Sequence, residues 1–256
     1  MKGTSILSVT GAGKRYVSRK GLLGSRVEHL AFGPVDLELN AGECVAVAGR
    51  SGAGKSTLAR CLAGLEALSE GSLWADGVEH PGGPVPGVQL VFQDSPAAMN
   101  PAWSVDQIIR EPLWLSGERK PEGRIKELLE QVGLPDGLLG RRADQLSGGQ
   151  RRRVLIARAL GCAGLRVLLL DEPFAGLDDG SAEAIAGLVS RLRVEKGLAL
   201  LLITHDLGSV ARLAGRLVVM SQGRFVEQLE GNGLFAGARH EESRALIGAM
   251  LPGAVG

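Results

Sequence analysis

The strongest chemical signal in the chain is a run of nine residues. Gly49-Arg50-Ser51-Gly52-Ala53-Gly54-Lys55-Ser56-Thr57 follows the apolar segment from Cys44 to Ala48 and precedes the helix-like Leu58 to Leu62. That is the strand, loop and helix setting a phosphate-binding loop requires. The glycines let backbone N–H groups converge on phosphate oxygens, and the helix that follows turns its positive end toward them. Lys55 adds a mobile charge, and a unit pair at about 4 Å is worth about 4 kcal/mol at an effective dielectric near 20. Ser56 offers a hydroxyl to Mg²⁺. Further along, Val167-Leu168-Leu169-Leu170-Asp171-Glu172 is an apolar strand ending in two carboxylates, and adjacent strand residues leave on opposite faces. Asp171 is the natural holder of Mg²⁺, and Glu172 the group to polarise an attacking water. Phosphate binding coupled to hydrolysis is the chemistry these residue types support.

At Leu146-Ser147-Gly148-Gly149-Gln150 the chain resembles the ABC ATPase family, whose signature motif this is. The resemblance extends over nearly the whole chain. Gln93 in Val91-Phe92-Gln93-Asp94 is similar to the family's Q-loop glutamine, Ala175-Gly176-Leu177-Asp178 to its D-loop, and His205 in Ile203-Thr204-His205-Asp206 to its switch histidine. Tyr16, the only tyrosine, suits an aromatic face stacked on adenine. The resemblance implies ATP and Mg²⁺ as cofactors, with Glu172, His205 and Gln93 catalytic and Ser56, Gln93 and Asp171 around the metal. It implies nucleotide contacts from Tyr16, Gly49, Ser51, Gly52, Gly54, Lys55, Ser56 and Thr57. Ser147, Gly148, Gly149 and Asp178 would add contacts from a second subunit, in a head-to-tail dimer that closes on two ATP molecules. Physically, Ser147-Gly148-Gly149 opens the helix-like Gln150 to Leu160, which makes a second anion site of its hydroxyl and N–H groups.

These residues need a scaffold, and its rhythm is legible. Short apolar runs recur at Val35 to Leu39, Cys44 to Ala48, Val88 to Phe92, Val167 to Leu170, Leu198 to Ile203 and Leu217 to Met220, several of them followed by helical patterns. Ile185, Leu188, Val189 and Leu192 fall at i, i+3, i+4 and i+7, one apolar stripe of a sheet-covering helix. From about Met99 to Gly161 no strand is evident, and Ile125, Leu128, Leu129 and Val132 repeat the helical spacing before Gly133 and Pro135 end it. Gly11-Ala12-Gly13-Lys14 reads as a turn, and His80 to Gly87 as a proline/glycine loop between strands. With the resemblance, the expected fold is α/β: a P-loop NTPase core of ABC ATPase type with an N-terminal antiparallel β-subdomain and an inserted α-helical subdomain. Residues 1–256 are expected to form one such domain, with 1–98 and 162–256 as the ATP-binding core and 99–161 as the helical signature subdomain.

The bulk properties limit the partners. A net charge of +1 over 256 residues gives no general attraction to nucleic acid or to an anionic bilayer. Arg151-Arg152-Arg153, with Arg141 and Arg142, fan around a helix and do not make one binding face, so no nucleic acid partner is expected. Cys44, Cys61 and Cys162 sit in apolar surroundings without metal-ligand spacing, as reduced thiols do. The longest apolar run, Leu198 to Ile203, falls far short of the roughly 18 residues of a membrane span, so a membrane role would be peripheral.

Phe92-Gln93-Asp94-Ser95-Pro96-Ala97-Ala98-Met99-Asn100-Pro101 resembles the peptide/nickel importer ATPases. His240-Glu241-Glu242-Ser243-Arg244-Ala245-Leu246-Ile247 resembles their closing segment without its usual His-Pro-Tyr-Thr. That subfamily implies two membrane permeases, a solute-binding protein and a second ATPase subunit, identical or homologous, at the cytoplasmic face of the membrane. Peptide, nickel and a metal chelate remain open as cargo. ATPases of the carbon–phosphorus lyase complex belong to the same subfamily and are the alternative.

Overall fold

A computed structural model describes residues 5–19, 26–92, 99–231 and 234–250. In chain order the strands are β1 (Ser5–Arg19), β2 (Arg26–Asn40), β3 (Cys44–Ala48), β4 (Glu70–Ala75), β5 (Val78–Glu79), β6 (Val88–Val91), β7 (Val167–Asp171), β8 (Ala199–Ile203), β9 (Arg216–Ser221) and β10 (Arg224–Glu230). The helices are α1 (Lys55–Leu62), α2 (Val105–Leu115), α3 (Glu122–Gln131), α4 (Gly148–Leu160), α5 (Asp179–Lys196), α6 (Leu207–Leu213) and α7 (Glu241–Met250).

β3, β7 and β8 are buried at every position. Such uninterrupted apolar strands suit a parallel sheet covered on both faces. They form the middle of a six-stranded sheet ordered β10-β9-β3-β8-β7-β6, parallel throughout except for the β9–β10 hairpin. Because side chains alternate along a strand, the sheet divides the interior in two. Ala46, Leu168, Leu170, Leu200 and Leu202 face the core built with α2 to α6. Val45, Val47, Leu169, Leu201 and Ile203 face the other core, built with α1 and a second sheet.

That second sheet is antiparallel, ordered β2-β1-β4-β5. Gly11-Ala12-Gly13-Lys14 lies within its strand β1, so the expected turn is in fact a bulge. The pairing with β2 shifts register between Val9 and Ala12 and again between Ala12 and Lys14, with Gly11 at φ +57°. An extra residue in one strand is accommodated by such a kink without ending the ladder.

Between β6 and β7 the chain is helical among the described residues. Ile125, Leu128 and Leu129 of α3 are buried against α4 and α2 as their spacing predicts. The arginine cluster is dispersed around α4: Arg152 is buried and donates to the Phe92 carbonyl at 2.7 Å, Arg151 to the Leu146 carbonyl at 2.8 Å. The thiols are sequestered. Burial pushes Cys44 up to about 12 and Cys61 up to about 11, and raises the half-buried Cys162 as well.

Candidate functional site

The turn from β3 into α1 has no room for side chains at two of its glycines. A Cβ on Gly49 would lie 2.1 Å from the Met220 carbonyl oxygen, and one on Gly54, at φ +102°, 2.3 Å from the Ala31 carbonyl oxygen. The loop is therefore wedged between β9 and β2, beside a cleft of about 600 Å³. Gly49, Ser51, Gly52, Gly54, Lys55, Ser56 and Thr57 all line that cleft, together with Tyr16, Glu172 and His205. Lys55 is buried, and its Nζ donates to the carbonyl oxygens of Gly49 at 2.8 Å and Arg50 at 3.0 Å. Burial lowers its pKa against the opposing pull of Glu172 and Asp171. The lysine thus holds its loop closed while remaining within the field of both carboxylates.

Asp171 ends β7. It is buried, and its Oδ1 has no hydrogen-bond partner among the described residues. Burial raises its pKa; the Ser56 hydroxyl opposes that rise and Glu172 adds to it. A hydroxyl and an orphaned carboxylate oxygen together are a hard-oxygen donor set, the kind a small divalent cation satisfies. Glu172 follows in the left-handed region at φ +48°, where a residue with a Cβ is held at a cost of roughly 1–3 kcal/mol. Its N–H continues the parallel ladder to the Ile203 carbonyl at 2.7 Å. The twist breaks the strand's alternation and turns Glu172 into the cleft, where His205 Nδ1 lies 2.9 Å from its carboxylate. His205 itself is exposed at the end of β8, just ahead of α6, which Asp206 caps by accepting from Ser209 N–H at 3.2 Å.

Tyr16 stands at the far end of the cleft. Its hydroxyl donates to Glu66 at 2.5 Å. Burial works against charge on Glu66, but the Tyr16 hydroxyl and the Arg60 guanidinium outweigh it and hold the carboxyl below its ordinary range. Lys14 Nζ lies 5.4 Å from the centroid of the tyrosine ring.

Ser147, Gly148, Gly149 and Asp178 do not line this cleft. Ser147 is the N-cap of α4 in a capping box: its hydroxyl accepts from Gln150 N–H at 3.2 Å, and its own N–H donates to the Gln150 side chain at 3.0 Å. Gly148 and Gly149 head the helix, where N–H groups have no intrahelical acceptor. Asp178 caps α5, accepting from Ser181 N–H at 2.9 Å and Oγ at 2.7 Å. The two helix starts abut, since a Cβ on Gly148 would meet Leu177 and one on Gly149 would meet Ser181, both at 3.1 Å. They form one surface separate from the cleft. Gln93 lies outside the described residues.

Several cleft residues carry no motif. His29 and Ala31 reach it from β2, and Leu246 from α7. Arg50 of the loop pairs with Glu242 of α7 at 3.7 Å. Only the β1–β2 register and the packing of α7 put them there, and neither is written in a local pattern.

The ABC transporter family profile matches residues 32–175. The nickel import ATP-binding protein NikE of Brucella suis biovar 1 (strain 1330) is 39% identical over 258 residues, covering 97% of this chain and 96% of its own. NikE of Escherichia coli (strain K12) is 38% identical over 265 residues, covering 97% and 95%. Among solved structures, the dimeric post-hydrolysis state of the ATP-binding cassette MJ0796 bound to ADP and Pi superposes with a TM-score of 0.75 at 26% identity, covering 88% of this chain and 98% of that one. A nucleotide-free cassette from an ABC transporter gives 0.71 at 25%, covering 89% and 92%.

Proposed function

This chain belongs to the ABC transporter family as an ATP-binding, ATP-hydrolysing subunit, and on that premise we propose that it energises the import of nickel, a metal chelate or peptides through two membrane permeases served by a solute-binding protein. The observation that carries the reading is the convergence of Lys55, Glu172 and His205 on one glycine-walled cleft. The 39% identity with a nickel import subunit along almost the whole chain supports the direction and the class of cargo. Among the described residues no helix is long and apolar enough to cross a membrane; we place the chain peripherally, at the cytoplasmic face, through its permeases.

In the proposed cycle the N–H groups of the loop bind the phosphates, and Lys55 exchanges the carbonyl oxygens of Gly49 and Arg50 for phosphate oxygens. Mg²⁺, for which Ser56 and Asp171 supply fitting donors, neutralises phosphate charge when bound. Glu172 orients the attacking water and takes its proton on a carboxylate oxygen, while His205 fixes that carboxylate from 2.9 Å. The surface of Ser147, Gly148, Gly149 and Asp178 completes the cleft of a second ATPase subunit, identical or homologous, in head-to-tail closure. Their absence from the chain's own cleft supports action in trans, as does the dimeric form of the related cassette MJ0796.

Affinity purification of the tagged chain from native membranes tests the reading. Recovery of permeases and a second ATPase subunit is expected. Recovery of the subunits of a soluble lyase assembly in their place would overturn it.

A further inference from the structure

β1 and β2 run antiparallel, and Tyr16 is directly opposite His29 in their register. Directly opposed residues put their side chains on the same face of a sheet, with Cβ atoms about 4.5–5.5 Å apart. Both line the nucleotide cleft, as does Ala31, two residues beyond His29 on that face. The Tyr16 ring is fixed rather than free: its hydroxyl is bonded to Glu66, and Lys14, which does not line the cleft, packs on the ring. His29 is different. It is exposed and has no hydrogen-bond or ion-pair partner among the described residues.

The spacing along β2 gives that imidazole a task. The Ala31 carbonyl abuts Gly54 of the phosphate loop, and two residues of strand cover about 6.7 Å. His29 therefore stands about one sugar's width beyond the phosphates, beside the tyrosine platform. A single aromatic ring supports a pyrimidine fully. A purine has a second fused ring, which extends past one platform onto the next planar group. We propose that His29 is the second half of the base platform, so that this chain prefers purine over pyrimidine nucleoside triphosphates through contact of the imidazole with the purine's second ring. The inference rests on the cleft being the nucleotide site.

Equilibrium binding of ATP, GTP, CTP and inorganic tripolyphosphate to the full chain and to His29→Ala and His29→Phe separates the possibilities. The parent should bind ATP and GTP more tightly than CTP. His29→Ala should weaken both purine nucleotides about five- to tenfold, in the range of losing one stacking partner, and leave CTP and tripolyphosphate within about twofold. His29→Phe, which keeps a planar ring, should restore most of the purine preference. Equal losses for all four ligands would make His29 a structural residue and overturn the proposal, and so would unchanged affinities for all four. If the parent binds neither ATP nor tripolyphosphate, the assignment of the cleft itself has failed, an outcome distinguishable from either.

Discussion

Glu172 combines an unusual backbone with a specific neighbour. It sits at φ +48° and 2.9 Å from His205, with the ladder bond to Ile203 sustaining the strain, and we propose it as the general base. Glu172→Gln keeps the shape and removes the basic oxygen. We expect that variant to bind ATP with near-parental affinity and to lose roughly 10²- to 10⁴-fold in turnover, the usual worth of a positioned base, as read by phosphate release against equilibrium binding. Turnover within about tenfold of the parent would take the role away from Glu172. Asp171 and Glu172 were legible in the sequence because a carboxylate pair closing an apolar strand is a local pattern. The left-handed twist that directs one of them was not, because nothing in the residue type marks it. His29 was illegible for a related reason: it enters the cleft through strand register, a long-range property.

At the scale of elements, the starts of α4 and α5 behave as one unit. Each is capped by its own side chain, Ser147 and Asp178, and small residues let them touch. Beside this cap, a contact with the partner's nucleotide is proposed for Ser147, and two variants separate the two roles. Ser147→Ala removes the cap and should cost about 1 kcal/mol of stability while leaving ATP-driven dimerisation measurable. Ser147→Arg also puts a long cation on the surface proposed to meet the partner's nucleotide; it should leave monomer nucleotide binding within about twofold and abolish ATP-dependent dimers in sedimentation or light scattering. Dimerisation equal to the parent's would remove the trans role. The buried strands β3, β7 and β8 and the amphipathic helices α3 and α5 could be read beforehand, since each carries its period openly. β1, β4 and β10 could not. They are half-exposed, mix charge with apolar residues, include glycine in β1 and β4, and in β1 carry bulges that disrupt the alternation by which a strand is recognised.

Across the whole molecule, a second depression of about 370 Å³ is lined by β6 and the helical layer, with Met99, Trp103, Glu111 and Arg158 in its walls. We propose a permease helix as its occupant, because a groove between the nucleotide sheet and the helices would move whenever their relation changes. Met99 is 4% exposed, so a charge there tests folding rather than docking. Trp103 is half-buried against the helical core and is the better probe. Trp103→Glu should lower transport at least about tenfold while ATP binding by the isolated, folded subunit stays within about twofold; undiminished transport would move the contact elsewhere. The sequestered thiols of Cys44, Cys61 and Cys162 bear on how such motions are followed. Cys44 and Cys61 are buried and Cys162 half-buried, and burial raises the pKa of each thiol; they present little thiolate to an electrophile, and the thiolate is the species that reacts. A single cysteine placed on an exposed position of the native protein, such as Ala245 of α7, would then take up a maleimide dye or a spin label with selectivity, so spectroscopic distance measurements can be made without first stripping the chain of its own sulfur.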